Sequence, residues 1–159
     1  YIYGLLHQPS YREKYAANLR RDLPHIPFVA EFSPYAELGR RLAELHVHYE
    51  RQAEYPLEWV ENPAVPLSYR VERLKLSKDK QELIYNDFLT LRGIPPTAFE
   101  YRLGHRSALE WVIEQYQVKT DSRNGLTNDP NNLVDERAIL RLIGQVITVS
   151  VETVMLIAM

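Results

Sequence analysis

Glu44, His46, His48 and Glu50 are of the residue types that ligate metals, and they fall within one short stretch. Their spacing argues against a site. On a helix, residues two apart point roughly 200° away from each other, whereas helical zinc ligands stand three or four apart. The stretch therefore reads as two histidines on different sides of an amphipathic helix. His7, His25 and His105 have no nucleophile or carboxylate beside them. Phe32-Ser33-Pro34-Tyr35 has the outline of the Asn/Asp-Pro-Pro-Tyr pocket of amino-methyltransferases. It lacks the second proline and the amide or acid that holds a target amine, and a cap-plus-proline helix start explains it fully. Six scattered glycines contain neither the dinucleotide fingerprint nor the phosphate-loop spacing. With no cysteine, a disulfide scaffold, a thiolate zinc site and a cysteine nucleophile are all excluded. The chain is read as non-enzymatic, with no catalytic residue, no metal ligand and no cofactor of its own.

What remains is cationic chemistry. Arg70, Arg73, Lys75, Lys78, Lys80, Arg92, Arg102, Arg106, Lys119 and Arg123 fall in or beside one strand-like region and the polar loop after it. Such a set can line a phosphate-facing surface. The competing reading is that strand and turn cations are merely solvated or guard a sheet edge.

These side chains sit in a chain of 159 residues with a formal net charge of -2, 45% apolar and 25% charged. That is an ordinary globular composition, long enough for one core, and its total charge does not describe a globally basic nucleic-acid binder. The total conceals a division. Glu31 to Glu61 holds three basic and seven acidic residues, net -4; Tyr11 to Arg21 is net +3; Arg70 to Arg123 is net +2. The numbering opens at Tyr1 in an apolar stretch without a secretory pattern, the expectation for a piece of a longer polypeptide. Leu142–Met159 is apolar, but Gln145, Ser150 and Glu152 interrupt it, which makes it a poor membrane span.

The elements that must position the cations follow from periodicity. Tyr1–Leu6 reads as the last turns of a helix. Pro9 starts another, with Tyr11, Tyr15 and Leu19 as its buried stripe, and Pro24 and Pro27 force an extended segment. Ser33-Pro34 is a cap-plus-proline start for a helix through Tyr35, Leu38, Leu42, Leu45 and Tyr49. Residues Tyr55–Leu67 read as an irregular connection. Three strands are expected: Tyr69 to Leu76, Leu83–Leu91 after a polar turn at Ser77–Gln81, and Phe99 to Leu103 ending at Gly104. Ser107-x-x-Glu110 is a capping box opening a short helix, and Gln117–Asn132 is the longest unstructured stretch. A helix from Leu140 to Ala158 closes the chain. Leu109, Trp111, Tyr116, Tyr35 and Leu42 are expected in the core. The class is α+β: helices flanking a small, mostly antiparallel strand cluster, with a C-terminal helix.

Several stretches resemble a known family. Tyr1-Ile-Tyr-Gly-Leu-Leu-His-Gln-Pro-Ser-Tyr-Arg-Glu-Lys-Tyr15, running into Leu19-Arg-Arg-Asp-Leu-Pro-His-Ile-Pro-Phe28, resembles the junction after the methyltransferase domain of bacterial Type ISP and related type IIG restriction–modification enzymes. Ala43-Glu-Leu-His46 and Tyr55-Pro56-Leu57 are similar to the same family. Tyr85-Asn-Asp87, Gly93-Ile-Pro95, Tyr101, Gly104-His-Arg-Ser-Ala-Leu-Glu-Trp-Val-Ile-Glu-Gln-Tyr-Gln-Val118, Asn128-Asp-Pro130 and Ile147-Thr-Val-Ser-Val-Glu-Thr153 resemble its C-terminal specificity domain. The resemblance implies a helical junction over residues 1–28 and a target-recognition domain over 29–159. It implies double-stranded DNA as partner, together with methyltransferase and translocase domains of the same polypeptide, in the cytoplasm and away from membranes. S-adenosylmethionine, ATP and magnesium are implied for the parent enzyme and none for these residues. An adenine flipped out of the duplex would be received by the methyltransferase.

On that implication, Arg70, Arg73, Lys75, Lys78 and Lys80 are placed on phosphates or nearby bases. Arg102, His105, Arg106, Lys119, Arg123, Asn124 and Asn128 are placed nearer base edges, where Arg pairs with guanine and Asn with adenine. A free helix N-terminus at Ser107 would add a phosphate site. The rival reading is a scaffold that packs against the methyltransferase and translocase without binding DNA by itself, which the acidic helix and the apolar chain ends suit.

Overall fold

The computed structural model of the chain describes residues 1–131 and 134–158, and the chain forms two compact units. One comprises Tyr1–Tyr49 with the segment from Glu152; the other is Glu50–Val151. The long helix α5 (Ala138–Ala158) contributes to both.

In the first unit, α1 (Ile2–His7) and α2 (Pro9–Lys14) precede α3 (Phe32–Val47). Pro9 opens α2, where a missing N–H costs nothing. The second helix is shorter than the expected stripe: Tyr11 is buried, while Tyr15 and Leu19 lie in the turns after it. Ser33 proves to be inside α3, whose N-cap is Glu31 without a side-chain bond. The leucines at 42 and 45 face inward as the spacing requires. Glycine sets the approach of α1 to α3. A Cβ on Gly4 would stand 2.2 Å from the Tyr35 carbonyl oxygen, and one on Gly39 would stand 2.8 Å from the Gly4 nitrogen.

The second unit holds a four-stranded antiparallel sheet in the order β1-β4-β3-β2, from β1 (Glu58–Glu61), β2 (Lys75–Leu76), β3 (Glu82–Ile84) and β4 (Leu89–Arg92). Two hairpins follow: β5 (Arg102–Leu103) with β6 (Arg106–Ser107), and β7 (Lys119–Thr120) with β8 (Thr127–Asn128), separated by α4 (Ala108–Gln115). The α+β class stands, with helices around small antiparallel sheets and a C-terminal helix.

Several strand boundaries differ from the sequence expectation, each for a local reason. Leu83–Leu91 is a hairpin and not one strand, because the Asn86 Oδ1 accepts the Phe88 and Leu89 amides and turns the chain. Phe99 ends a 3-10 turn over Pro96–Phe99, so only Arg102–Leu103 of the third expected strand is extended. Of Tyr69–Leu76 only Lys75–Leu76 pairs; Tyr69 and Val71 are buried as irregular backbone. Trp59 lies in a strand within the supposedly irregular 55–67 segment. The polar 117–132 stretch contains a hairpin turned by Asn124-Gly125; its end, Asn132, lies outside the described residues.

Leu83, Leu89 and Leu91 from the sheet, Tyr85 from the turn between β3 and β4, Leu109, Val112 and Ile113 from α4, and Ile139, Leu140, Ile143 and Ile147 from α5 form one core. Trp111 is a correction: it is 48% exposed on the outer face of α4. By length and composition α5 resembles a membrane span, yet Ile139, Leu140, Ile143, Val146 and Ile147 are buried in this core. Of the polar residues that interrupt α5, Glu152 is exposed and the other two are hydrogen-bonded. The Gln145 amide donates to the carbonyls of Glu50 and Gln52 at 2.7 and 3.2 Å, and the Ser150 hydroxyl to that of Val146 at 2.7 Å.

Candidate nucleic-acid interface

All twelve sequence-selected side chains lie in the second unit, on three elements: the strap from Ser68 through β2 and its turn, the β5–β6 hairpin, and the β7–β8 hairpin. The strap has almost no secondary structure, so side chains must hold it. The Asn86 amide nitrogen donates to the Ser68 and Arg70 carbonyls at 2.8 and 2.9 Å. From the other side, the Asn131 Oδ1 accepts the Val71 amide and its Nδ2 donates to the Val71 carbonyl, both at 2.8 Å. Neither Asn86 nor Asn131 was singled out as functional. The signal in sequence was weak: an Asn-Asp pair and an Asn-Asp-Pro turn, each common in ordinary loops.

The cations divide by partner. The Arg70 guanidinium donates to Glu72 at 2.8 Å and to Asp129 at 2.7 Å. Bonds from the Asn131 amide and from Arg70 draw the Asp129 carboxyl down to about 2, since each stabilises the charged form. Lys80, in a left-handed turn position at φ 60°, donates to Glu110 at 2.7 Å and lies over the Phe99 ring at 5.1 Å. Arg106 pairs with Glu114, and Lys119 donates to the Glu114 carbonyl at 2.6 Å. Arg92, the tenth cation of the set, pairs with Glu82 at 2.8 Å. Arg102 donates to the His105 carbonyl across the turn of β5–β6, where Gly104 takes φ 72°. Among the described residues Arg73, Lys75, Lys78 and Arg123 are exposed and pair with no carboxylate.

The amino end of α4 is not open to an anion. Ser107 and Glu110 close the capping box in both directions: the Glu110 amide donates to Ser107 Oγ at 3.2 Å, and the Ser107 amide donates to Glu110 at 3.0 Å. Glu110 therefore occupies the position a phosphate would take. Lys80 and the Ser107 donors hold its carboxyl down to about 2. The sequence expectation of a free phosphate site at Ser107 is corrected by this carboxylate.

The β7–β8 hairpin is tied to the strap on both of its strands. Before β7, the Val118 amide donates to the Glu72 carbonyl at 3.0 Å. After β8 come the Asp129–Arg70 and Asn131–Val71 contacts. Its tip, Asp121 through Leu126, is exposed; there the Asn124 Oδ1 accepts the Leu126 amide at 2.9 Å. Arg123, Asn124 and Asn128 of this hairpin and Arg102 and His105 of the other are exposed polar groups of the kinds that read base edges. Among the described residues no cluster of three or more His, Asp or Glu side chains is arranged to hold a metal.

Comparison with known proteins adds one family match and three structural likenesses over almost the whole chain. The family model for the Type ISP C-terminal specificity domain matches residues 1–142. The ATP-dependent Type ISP restriction-modification enzyme LlaBIII, solved bound to DNA, is 40% identical over 99% of this chain, with a TM-score of 0.92. A nuclease-deletion mutant of the Type ISP enzyme LlaGI, in complex with a DNA substrate mimic, is 42% identical over 99%, with a TM-score of 0.89. A DrdV–DNA complex solved by cryo-electron microscopy is 36% identical over 99%, with a TM-score of 0.83. The chain spans 10%, 15% and 17% of those three chains respectively. No curated protein sequence matches it significantly.

Proposed function

Because the chain belongs to the family of Type ISP C-terminal specificity domains, we propose that it binds double-stranded DNA and selects the sequence on which a larger restriction–modification polypeptide acts. The observation that carries this reading is the pairing of two things. The chain is alike in fold, over 99% of its length, to proteins solved on DNA, and Arg73, Lys75, Lys78, Arg102, His105, Arg123, Asn124 and Asn128 are exposed on the strap and the two hairpins. Arg73, Lys75 and Lys78 take phosphates, which positions the protein without reading sequence. Arg102, His105, Arg123, Asn124 and Asn128 face base edges, with Arg106 and Lys119 beside them. Adenine methylation with S-adenosylmethionine, and cleavage driven by ATP and magnesium, belong to other parts of the polypeptide. The domain itself performs no catalysis and acts in the cytoplasm.

The test is binding of the full chain to a random-sequence duplex pool across salt concentrations. Enrichment of a motif supports the reading, and bound fractions with no motif at any salt refute it.

A second role is favoured by the first unit, where Leu23, Phe28 and Phe32 are exposed apolar side chains. Such a surface suits packing against the methyltransferase and translocase. If that were its only role, the chain would bind no DNA yet restore activity to an enzyme lacking it when added in trans.

A further inference from the structure

We propose that Arg70 is not a phosphate contact but a positioning residue, which with Asp129 and Asn131 clamps the base of the β7–β8 hairpin and so aims Arg123 and Asn124. The proposal rests on the reading of this domain as a DNA reader and assigns roles within it.

Three features support it. First, both donor sides of Arg70 used in the structure are satisfied by carboxylates, Nε by Glu72 and Nη2 by Asp129. A phosphate at this guanidinium would compete with two carboxylates for its donors. Second, the contacts fall where the hairpin leaves the strap. Val118 is held at one strand, Asp129 and Asn131 after the other, and all three reach the consecutive residues Arg70, Val71 and Glu72. Third, the clamp is cross-braced: Asn131 donates from its backbone amide and from Nδ2 to Asp129 Oδ1, at 3.0 and 2.7 Å, while Asp129 Oδ2 takes Arg70. The hairpin itself contributes only a two-residue ladder, Lys119↔Asn128 and Thr120↔Thr127. So short a ribbon has little stiffness of its own, and its direction depends on its base. Two-pronged base recognition tolerates little misplacement, which makes the clamp a determinant of discrimination.

The experiment compares the full wild-type chain with Arg70→Ala, Arg70→Lys, Asn131→Ala and Arg123→Ala. Each is selected on a random duplex pool and titrated with salt on one fixed duplex. Loss of a phosphate contact lowers the slope of log K against log salt by about 0.9, whereas loss of aim does not. A lysine substitutes for arginine on a phosphate, but as a point charge it does not bridge two carboxylates. The proposal expects Arg70→Ala, Arg70→Lys and Asn131→Ala to blur the same motif positions as Arg123→Ala, with discrimination there falling about tenfold. It also expects the salt slope of both Arg70 variants to stay at the wild-type value. Faster amide exchange at Lys119 and Asn128, the hydrogen-bonded pair of the ladder, in Arg70→Lys, with the rest of the unit unchanged, separates a released hairpin from a misfolded domain. A lowered slope with a sharp motif in Arg70→Ala overturns the proposal, as does an unchanged motif in Arg70→Lys. A wild-type chain that enriches no motif refutes the DNA-reading function itself and the proposal with it.

Discussion

Tyr85 donates its hydroxyl to the Tyr69 carbonyl at 2.9 Å, with the Tyr85 side chain wholly buried. The strap carrying the cations is thus hung from the core by a hydrogen bond made inside it. Burial pushes the Tyr85 hydroxyl well above the ordinary tyrosine range, which favours its protonated, donating form. Tyr85→Phe leaves that carbonyl without its partner and is expected to cost about 1–3 kcal/mol, read by chemical denaturation.

Asn86 performs the same task from the next position. It uses both donors of its amide on the strap and accepts two amides of its own turn. Asn86→Asp keeps the acceptor and loses the donors. It is expected to lose more stability than Tyr85→Phe and to speed amide exchange in the strap while the turn keeps its protection. Equal protection of the strap in variant and wild type would show that the side chain does not hold it.

Gly4 and Gly39 allow two helix backbones to touch. Gly4→Ala places a methyl group where the Tyr35 carbonyl already stands, so the helices must separate. The expected cost is about 1–3 kcal/mol, the usual range for overpacking. It is expected to appear as a lower melting temperature and loss of the Tyr1–Phe32 ring stack in the first unit.

His46 makes that unit acid-sensitive. Its Nδ1 lies 2.6 Å from the Tyr3 hydroxyl and its Nε2 2.8 Å from the Thr153 hydroxyl, with the His7 ring centre 5.5 Å away. Burial, with a smaller contribution from His7, pushes the His46 imidazole down to about 4 from its ordinary 6.5. The folded state therefore disfavours the proton that the unfolded chain takes up. Its contribution to stability is complete above about 6.5 and is lost progressively as pH falls toward 4. His46→Gln keeps polar atoms in place without the titration. The wild-type chain is expected to lose stability over this interval more steeply than the variant, as measured by denaturation at a series of pH values. Parallel curves would refute the assignment.

Among the contacts proposed for DNA, Lys78 and Arg102 should behave differently. Lys78→Ala is expected to weaken all sequences alike and to lower the salt slope by about 0.9. Arg102→Ala is expected to change the preferred base at one position, at about 1–3 kcal/mol in discrimination. Competition binding against pools that differ at single positions distinguishes them.

The sequence by itself determined the elements that local rules govern. The leucine spacing of α3, the capping box at Ser107 and the apolar periodicity of α5 each depend on residues within a few positions of one another. It also determined which region holds the cations, because charge is additive along the chain. Tertiary structure alone decided what those cations do. An arginine in a list has no direction; Arg70 acquired one from Asp129, 59 residues away, and Glu110 took the helix end that looked open to phosphate. The strand expected at 69–76 failed for the same reason: the backbone at Arg70 and Val71 is held by side-chain bonds from Asn86 and Asn131, and not by a regular ladder, so no period in the sequence recorded it. The run at 83–91 keeps its strand character but is two paired strands, because Asn86 turns the chain between them.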